Sequence, residues 1–373
     1  MSAWLILVNR PAILHPAEYF HPPGWGNGYD MATYDFLFNS LGLRVWCDAG
    51  KTSDGPLSMA DLLARANGAK ESSIWDLPFP SLDALNDACG RIAQSRDLTK
   101  GVENVFLAVK DPLQFVLDPI TQPLSWILDF ALYTFDVTPW WLMFPLLMLI
   151  VFLASRSFRI VGLMLTCLGF LALIDHYNYA MQTLAIIFVC AFLCVLLGVP
   201  IGIAMSRSNN MQRFTIPVLD MLQTLPPFVY LIPLIFLFSV TEPKLYGIAI
   251  ILYAIVPVIR LTDLGIRLVD KEVIEASDSF GMTDRQKLFG VQIPLALPNI
   301  MAGVNQTIMM SLAMVVIASL VSAPGLGVLV LRGIRNLELG VGLVSGLGIV
   351  LLAIILDRVT KAALNRINAA QKH

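Results

Sequence analysis

The sequence predicts an all-α membrane protein, a polytopic helical bundle of about seven transmembrane helices with a polar N-terminal arm. Of its 373 residues, 57% are hydrophobic and only 14% are charged, which is too apolar for an ordinary soluble domain. The charges are unevenly placed: residues 1–137 hold 9 of the 25 lysines and arginines but 16 of the 27 aspartates and glutamates. The chain therefore divides into an acidic polar part and a membrane region with basic flanks.

Seven apolar stretches are candidate spans, because about 20 apolar residues cross the hydrocarbon core of a bilayer. The second and the fifth are short, so their boundaries are less well defined than those of the others. The stretches cover residues 139–155, 158–174, 181–205, 217–239, 245–260, 300–322 and 341–357.

Basic residues between the stretches predict the orientation, since loops rich in lysine and arginine are retained in the cytoplasm. One set of connections, together with the C-terminal segment, holds 13 basic residues, whereas the opposite set holds Lys244, Arg332 and Arg335. This asymmetry places the segment 261–299 and the tail, 362–373, in the cytoplasm. With seven spans the arm lies outside the cytoplasm, and an even number of spans would reverse that placement.

The arm, residues 1–101, is predicted to be extracytoplasmic, with short helices at Met59–Ala66 and Leu82–Gln94 that each follow a serine. Cys47 and Cys89 could pair in that compartment, although their spacing alone does not show it.

Two further N-terminal segments are read from their composition. The apolar run Trp4–Val8 is far shorter than a span and lacks a cleavage region, so no cleaved signal peptide is expected. Residues 102–137 mix apolar side chains with charges and prolines, which favours an amphipathic helical region at the membrane surface.

The types and positions of the polar residues argue against proton pumping and catalysis by this chain. Asp175, Asp220 and Asp263 fall at or near the ends of apolar stretches, so the buried relay groups that a proton-driven pump needs are missing. No carboxylate pair, metal-ligand spacing or activated nucleophile can be assembled with the four histidines. The run that ends in Gly50-Lys51-Thr52 lacks the first glycine of a phosphate-binding loop. The chain is therefore predicted to be no enzyme and to bind no cofactor or metal.

The polar segment 273–298, between two apolar stretches, has the pattern of two short helices. The first ends at Gly281, a residue that readily adopts the left-handed conformation found after helix C-termini. The second begins with a capping-box sequence at Thr283 and is expected to be interrupted at Pro294 and Pro298. The segment is thus predicted to be a helix-turn-helix unit outside the lipid that contacts another protein.

A second set of candidates lies within the apolar stretches. The run LQTLPPFVYLIP in the fourth stretch contains three prolines, and broken backbone inside a membrane is tolerated where it packs on protein or lines a wet cavity. The polar residues that begin the sixth stretch and the run SAPGLG could also line a path, or could serve as helix–helix contacts and a tight turn. The candidate pathway residues are Gln223, Thr224, Pro226, Pro227, Phe228, Tyr230, Asn305, Gln306 and Ser322.

The helix-turn-helix segment resembles the cytoplasmic loop of the membrane subunits of ATP-binding-cassette importers. Glu275-Ala276-Ser277 is followed after three residues by Gly281 and, after nine more, by Val291-Gln292-Ile293-Pro294. More narrowly, LDMLQTLPPFVYLIP, IEASDSFG, LPNIMAGVNQTIMMSLAMVVIASLV and GIVLLAIILDR are similar to permeases of glycine betaine and proline betaine importers. The resemblance extends from about residue 105 to 361, and Pro324 stands where the family is expected to have glycine, which affects the local turn.

The resemblance implies a type I importer permease fold over residues 138–361, in the bacterial inner membrane. It also implies a homodimer of permeases, two cytoplasmic ATPase subunits that bind ATP and magnesium, and an extracytoplasmic substrate-binding protein. The loop 261–299 would then transmit ATPase closure to the spans. The implied coupling residues are Glu275, Ala276, Ser277, Phe280, Gly281, Met282 and Pro294.

The implied cargo is a betaine-type solute, with choline, carnitine, trimethylamine oxide and sulfonium analogues left open. The alternative is a secondary transporter or channel that works without an ATPase. No nucleic-acid partner is expected under either hypothesis.

Overall fold

A computed structural model of the chain describes residues 38, 41–43, 46–47, 81–89 and 91–371. In these ranges every regular element is a helix, which confirms the predicted all-α fold class. The chain divides into two compact units, Met1–Val109 and Lys110–His373. The predicted helix Met59–Ala66 and the apolar run Trp4–Val8 lie outside the described residues.

In the first unit, helix α1 spans Leu82–Ala88 and is shorter than the predicted Leu82–Gln94. After it the chain turns, and the amide of Ile92 donates to the carbonyl oxygen of Cys89 over 3.0 Å. The buried Cys89 forms a disulfide with Cys47. The Asp83 carboxylate accepts hydrogen bonds from the hydroxyl and the backbone amide of Ser95, at 2.6 and 2.9 Å, and these bonds lower its pKa.

Twelve further α-helices follow among the described residues. They are α2 (Ser95–Val137), α3 (Trp140–Ser155), α4 (Phe158–Leu173), α5 (Tyr177–Arg207), α6 (Asn209–Thr224), α7 (Pro227–Leu237), α8 (Pro243–Arg267), α9 (Lys271–Ser279), α10 (Asp284–Lys287), α11 (Ile293–Ala318), α12 (Leu326–Arg335) and α13 (Leu339–Gln371).

Four continuous helical stretches of the described chain are long and apolar enough to cross a membrane: α5, α8, Asp284–Val321 and Leu339–Arg366. The number rises to six if the bent pairs α2–α3 and α6–α7 each count as one span, and α4 is a shorter apolar helix. These segments together account for the seven predicted apolar stretches.

The predicted stretch 217–239 is not one continuous helix. Helices α6 and α7 meet at 96°, and Leu225 and Pro226 between them are extended, with ψ angles of 129° and 132°. A residue that precedes proline is pushed out of the helical region, so the paired prolines at 226 and 227 explain the break.

Helix α8 packs closely against both α5 and α11. A side-chain carbon at Gly202 would lie 2.7 Å from the carbonyl oxygen of Ile259, and one at Gly303 would lie 3.0 Å from the Cα atom of Val258. Small residues allow such close backbone approach between membrane helices. The adjoining core includes Ile186, Ala249, Ile250, Leu312 and Met314.

The start of α8 is also bound to α2 through a buried lysine. Lys244 is 3% exposed, and its Nζ atom lies 2.8 Å from Oδ1 of Asp118 and 2.9 Å from Oε2 of Glu242. The amide oxygen of Gln122 lies 3.4 Å from the same nitrogen. A buried charge needs such partners, so this contact fixes the register of α2 against α8.

Candidate functional site

The turn at Gly281 has the geometry that the sequence predicts. Gly281 has a φ of +72°, and its amide donates to the carbonyl oxygen of Asp278 over 2.9 Å. The amide of Met282 donates to the carbonyl oxygen of Ser277 over 3.2 Å. Together these bonds form a Schellman motif, which satisfies carbonyl groups that the end of α9 would otherwise leave unpaired.

A reciprocal capping box starts the second helix, as predicted. The Thr283 amide donates to Oε1 of Gln286 over 2.9 Å, and the Gln286 amide donates to Oγ1 of Thr283 over 3.4 Å. Only two residues therefore separate the cap of α9 from the cap of α10, and backbone and side-chain hydrogen bonds fix both. The resulting helix pair, Lys271–Lys287, is a rigid projection rather than a flexible loop.

The predicted interruption at Pro294 and Pro298 is wrong. A π-helical turn, Leu288–Gln292, links α10 to α11, and the Ile293 amide donates to the carbonyl oxygen of Leu288. Pro294 directly follows this wider turn, at the start of α11 and within a helical stretch that continues from Asp284 to Val321. Pro298 lies inside α11 and removes a single bond from a helix of 26 residues.

The residues with an implied coupling role divide into a buried and an exposed set. Ser277 is buried and donates its hydroxyl to the carbonyl oxygen of Val273 over 2.7 Å. Glu275, Ala276 and Gly281 are exposed, whereas Met282 and Pro294 are partly buried. Phe280 is 88% exposed, an unusual state for a phenylalanine at the tip of a rigid projection outside the apolar helices.

Ion pairs connect the helix pair internally and to α5. Lys287 on α10 forms an ion pair with Asp278 on α9, and its Nζ atom lies 3.6 Å from Oδ1 of Asp284. Arg207 at the end of α5 lies 3.7 Å from Oδ2 of Asp284 and donates to its carbonyl oxygen. The projection and the end of α5 are thus joined through Asp284.

A polar network joins the neighbouring ends of α5, α6 and α8. The carboxylate of Asp263, only 6% exposed, accepts from Nε of Arg267 at 2.9 Å and from Nε2 of Gln212 at 2.7 Å. The guanidinium of Arg267 also donates to Oδ1 of Asn209 over 3.0 Å and to the carbonyl oxygen of Met205 over 2.7 Å. We call this set the Asp263 network. Sequence reasoning found Asp263 only as a charge near a helix end, since its partner Gln212 lies 51 residues away along the chain.

Most of the predicted pathway residues cluster at the bend between α6 and α7. Gln223, Thr224 and Pro226 are exposed there, and Phe228 is 57% exposed. Tyr230 lies one turn into α7, and its hydroxyl is 3.8 Å from Sδ of Met314 on α11. Their part in transport stays a prediction.

The remaining pathway candidates have structural contacts of their own. Asn305 on α11 donates to Oδ1 of Asp357 on α13 over 3.4 Å, and it accepts a hydrogen bond from Thr360. Ser322, with a φ of +70°, ends a short 3-10 turn. Asn305 thus makes a helix–helix contact, Ser322 lies in a tight turn and Gln306 is exposed. The part of all three in transport stays a prediction.

Comparison with known proteins places this arrangement in a family. A family model described as "Binding-protein-dependent transport system inner membrane component" matches residues 194–369, which include α9 to α11. The chain is 50% identical over 190 residues to the glycine betaine/proline betaine transport system permease protein ProW of Escherichia coli. That match covers 51% of this chain and 53% of ProW, so the chain spans about half the length of this relative.

Two shorter relatives match over a larger share of their length. The glycine betaine/carnitine transport permease protein GbuB of Listeria monocytogenes is 41% identical over 247 residues, which are 65% of this chain and 87% of GbuB. The glycine betaine transport system permease protein OpuAB of Bacillus subtilis is 46% identical over 200 residues, 52% of this chain and 70% of OpuAB.

The apolar helices and the match to known families together define a polytopic membrane component of a transport system. The chain belongs to the family of binding-protein-dependent transport system inner membrane components, whose members are permease subunits and not themselves catalytic. The relatives also confirm the resemblance to glycine betaine and proline betaine permeases that the sequence motifs indicate.

Proposed function

We propose that this chain is the transmembrane subunit of an ATP-driven importer that carries a betaine-type solute across the bacterial inner membrane. The observation that carries the proposal is the helix pair Lys271–Lys287, which presents Phe280 at the start of a turn held by two caps. An aromatic side chain on a rigid projection is suited to fill a pocket on a partner protein. The segment therefore has the geometry of a coupling element.

The proposed partners are two cytoplasmic ATPase subunits, a second copy of the permease and an extracytoplasmic substrate-binding protein. ATP and magnesium would bind to the ATPase subunits. When these close, force applied at Phe280 would pass through Asp284 to Arg207 at the end of α5. The Asp263 network would make the ends of α5, α6 and α8 move together.

The proposed cargo is glycine betaine, proline betaine or a related quaternary amine. Support comes from the relatives, which are named for glycine betaine, proline betaine and carnitine, while more distant ones are named for trimethylamine N-oxide. These solutes share a compact methylated nitrogen centre. The substrate class is therefore better supported than the choice of one solute.

Reconstitution in liposomes tests the proposal against the alternative of a secondary transporter or channel. With the ATPase and the binding protein present, we expect uptake of radiolabelled glycine betaine only when ATP is supplied on the side of the membrane where the ATPase lies. The permease alone should give no uptake. Uptake by the permease alone without ATP would contradict the proposal and support the alternative.

We further propose that the N-terminal arm lies outside the cytoplasm and the helix pair inside it. The asymmetry of basic residues supports this orientation, and so does the Cys47–Cys89 disulfide, because disulfides persist in oxidising compartments. In intact spheroplasts, a membrane-impermeant maleimide should label the arm after mild reduction, and a variant with both cysteines changed to serine should remove that signal. Labelling of the arm only after the membrane is permeabilised would reverse the orientation.

A further inference from the structure

A cavity of about 730 Å³ opens at one end of the bundle between α3, α4 and α5. Four aromatic side chains line it: Trp140, Trp141, Phe144 and Tyr177. Asp175 and Asn178 add polar groups to an otherwise apolar wall. This combination of aromatic faces with one carboxylate differs from the purely aliphatic grooves that lipid tails fill.

The aromatic rings hold one another in place. The ring of Phe144 stacks on that of Tyr177 with centroids 5.5 Å apart, and the ring of Trp140 meets Phe144 edge-on at 6.5 Å. Trp140 and Trp141 remain 66% and 62% exposed, so much of their ring surface is open to a ligand. The face of an aromatic ring attracts a cation, most strongly in tryptophan, and such rings around a quaternary ammonium form an aromatic cage.

A carboxylate complements these rings. Asp175 is exposed, and its carboxylate forms no ion pair or hydrogen bond with the described residues, so its negative charge is available to a cation. The ring of Tyr177 contributes a further aromatic surface. The cavity therefore offers aromatic faces and one carboxylate to a cation.

The cavity lies at the end of the bundle opposite the basic residues Arg156, Arg159 and Arg207. It is formed by the starts of α3 and α5 and the end of α4, whereas these arginines mark the other ends of the same helices. In the proposed orientation the cavity thus faces the side from which the solute arrives.

We propose that this cavity is a binding site for a quaternary ammonium group on the permease itself. The choice of ligand class rests on the proposed function, while the site rests on the rings and Asp175. The same group occurs in free betaine solutes and in the choline headgroup of phospholipids, and the test separates these two sources.

The test measures direct binding to the purified full-length chain in nanodiscs of phosphatidylethanolamine and phosphatidylglycerol, without ATPase or binding protein. Saturation-transfer NMR should detect glycine betaine, whereas 3,3-dimethylbutyrate, which replaces the nitrogen with uncharged carbon, should bind about tenfold more weakly. Trp140→Leu and Asp175→Asn should each weaken betaine binding by about threefold or more. Asparagine also tolerates the left-handed backbone found at position 175.

Trp126→Leu is the matched control, because Trp126 is 65% exposed on α2 and does not line the cavity. This variant should bind betaine like the parent chain. Equal loss of binding in Trp126→Leu and Trp140→Leu would overturn the proposal, and so would equal binding of betaine and its carbon analogue.

A second arm uses nanodiscs that contain phosphatidylcholine. Competition between this lipid and betaine, or binding of the lipid alone that depends on Trp140 and Asp175, would support the site with the headgroup as a source. Absence of binding by both ligands would overturn it. Transport plays no part in this binding measurement, so the two proposals can fail separately. Betaine binding without uptake in the liposome assay would contradict the proposed function and leave the binding site supported. Uptake without betaine binding to the permease would contradict only the binding site.

Discussion

Gly281 is the residue on which the geometry of the projection most directly depends. Its φ of +72° lies in the left-handed region, where a residue with a Cβ atom is disfavoured by about 1–2 kcal/mol. A Cβ at this position would meet no atom within 4 Å, so the cost of a substitution would be conformational and not steric.

Gly281→Ala should therefore loosen the turn without unfolding the bundle. We expect faster hydrogen exchange at the backbone amides of residues 281 and 282. In the assembled transporter, we also expect betaine to stimulate the ATPase activity less than it does with the parent chain. Gly290→Ala is the control, because position 290 has no positive φ and a Cβ there would meet Met282 at an ordinary 3.6 Å. If both variants behave alike, the conformation of Gly281 is not what matters.

At the residue scale, local motifs could be predicted from the sequence and long-range contacts could not. The glycine turn and the capping box at Thr283 depend on residues within a few positions of each other. Asn305 could be recognised as a polar residue in an apolar stretch. Its partner Asp357, however, lies 52 residues further along and is chosen by the packing of α11 on α13.

The helices that carry the site differ from their predicted forms at the prolines. Pro226 and Pro227 produce a 96° bend, whereas Pro294 is accommodated in a continuous stretch from Asp284 to Val321. At Pro226 and Pro227 the helix ends, because residues 225 and 226 are extended. At Pro294 the helix continues, because a π-helical turn at 288–292 precedes the proline. A proline in the sequence predicts that the regular α-helix is interrupted, but it does not show whether the helix bends or continues through a π-helical turn.

The Asp263 network yields a prediction about how elements are held together. Asp263→Ala leaves the side chains of Gln212 and Arg267 without their shared acceptor, and it should lower stability by about 2 kcal/mol. The loss should appear as a lower midpoint of thermal unfolding in detergent, together with weaker coupling between ATP hydrolysis and transport.

Asp220→Ala is the control for that prediction. Asp220 pairs with Arg260, but their side chains are 54% and 38% exposed, and a surface pair of this kind contributes less than about 1 kcal/mol. The two variants remove the same chemical group from ion pairs with arginine. A larger effect in Asp220→Ala than in Asp263→Ala would contradict the assigned role of the network.

For the whole molecule, composition and hydropathy were enough to predict an all-α membrane bundle and the position of its apolar segments. The arrangement of those segments was not accessible, since it depends on contacts such as the close approach at Gly202 and the burial of Lys244 between Asp118 and Glu242. Lys244 was recognised only as one of three basic residues on the less basic side. Its ion pairs span as many as 126 residues, a distance over which sequence patterns carry little information.

The central claim is that the projection at Phe280 contacts an ATPase, and site-specific photo-cross-linking in cells that express the complete transporter tests it most directly. A photoreactive phenylalanine at position 280 should cross-link to the ATPase subunit. Position 337 is the control, because Leu337 is 89% exposed and Phe280 is 88% exposed. The same group at position 337 should not cross-link to the ATPase, because Leu337 lies near Arg332 and Arg335 on the predicted opposite side of the membrane. No cross-link from position 280, or an equal yield from both positions, would contradict the account.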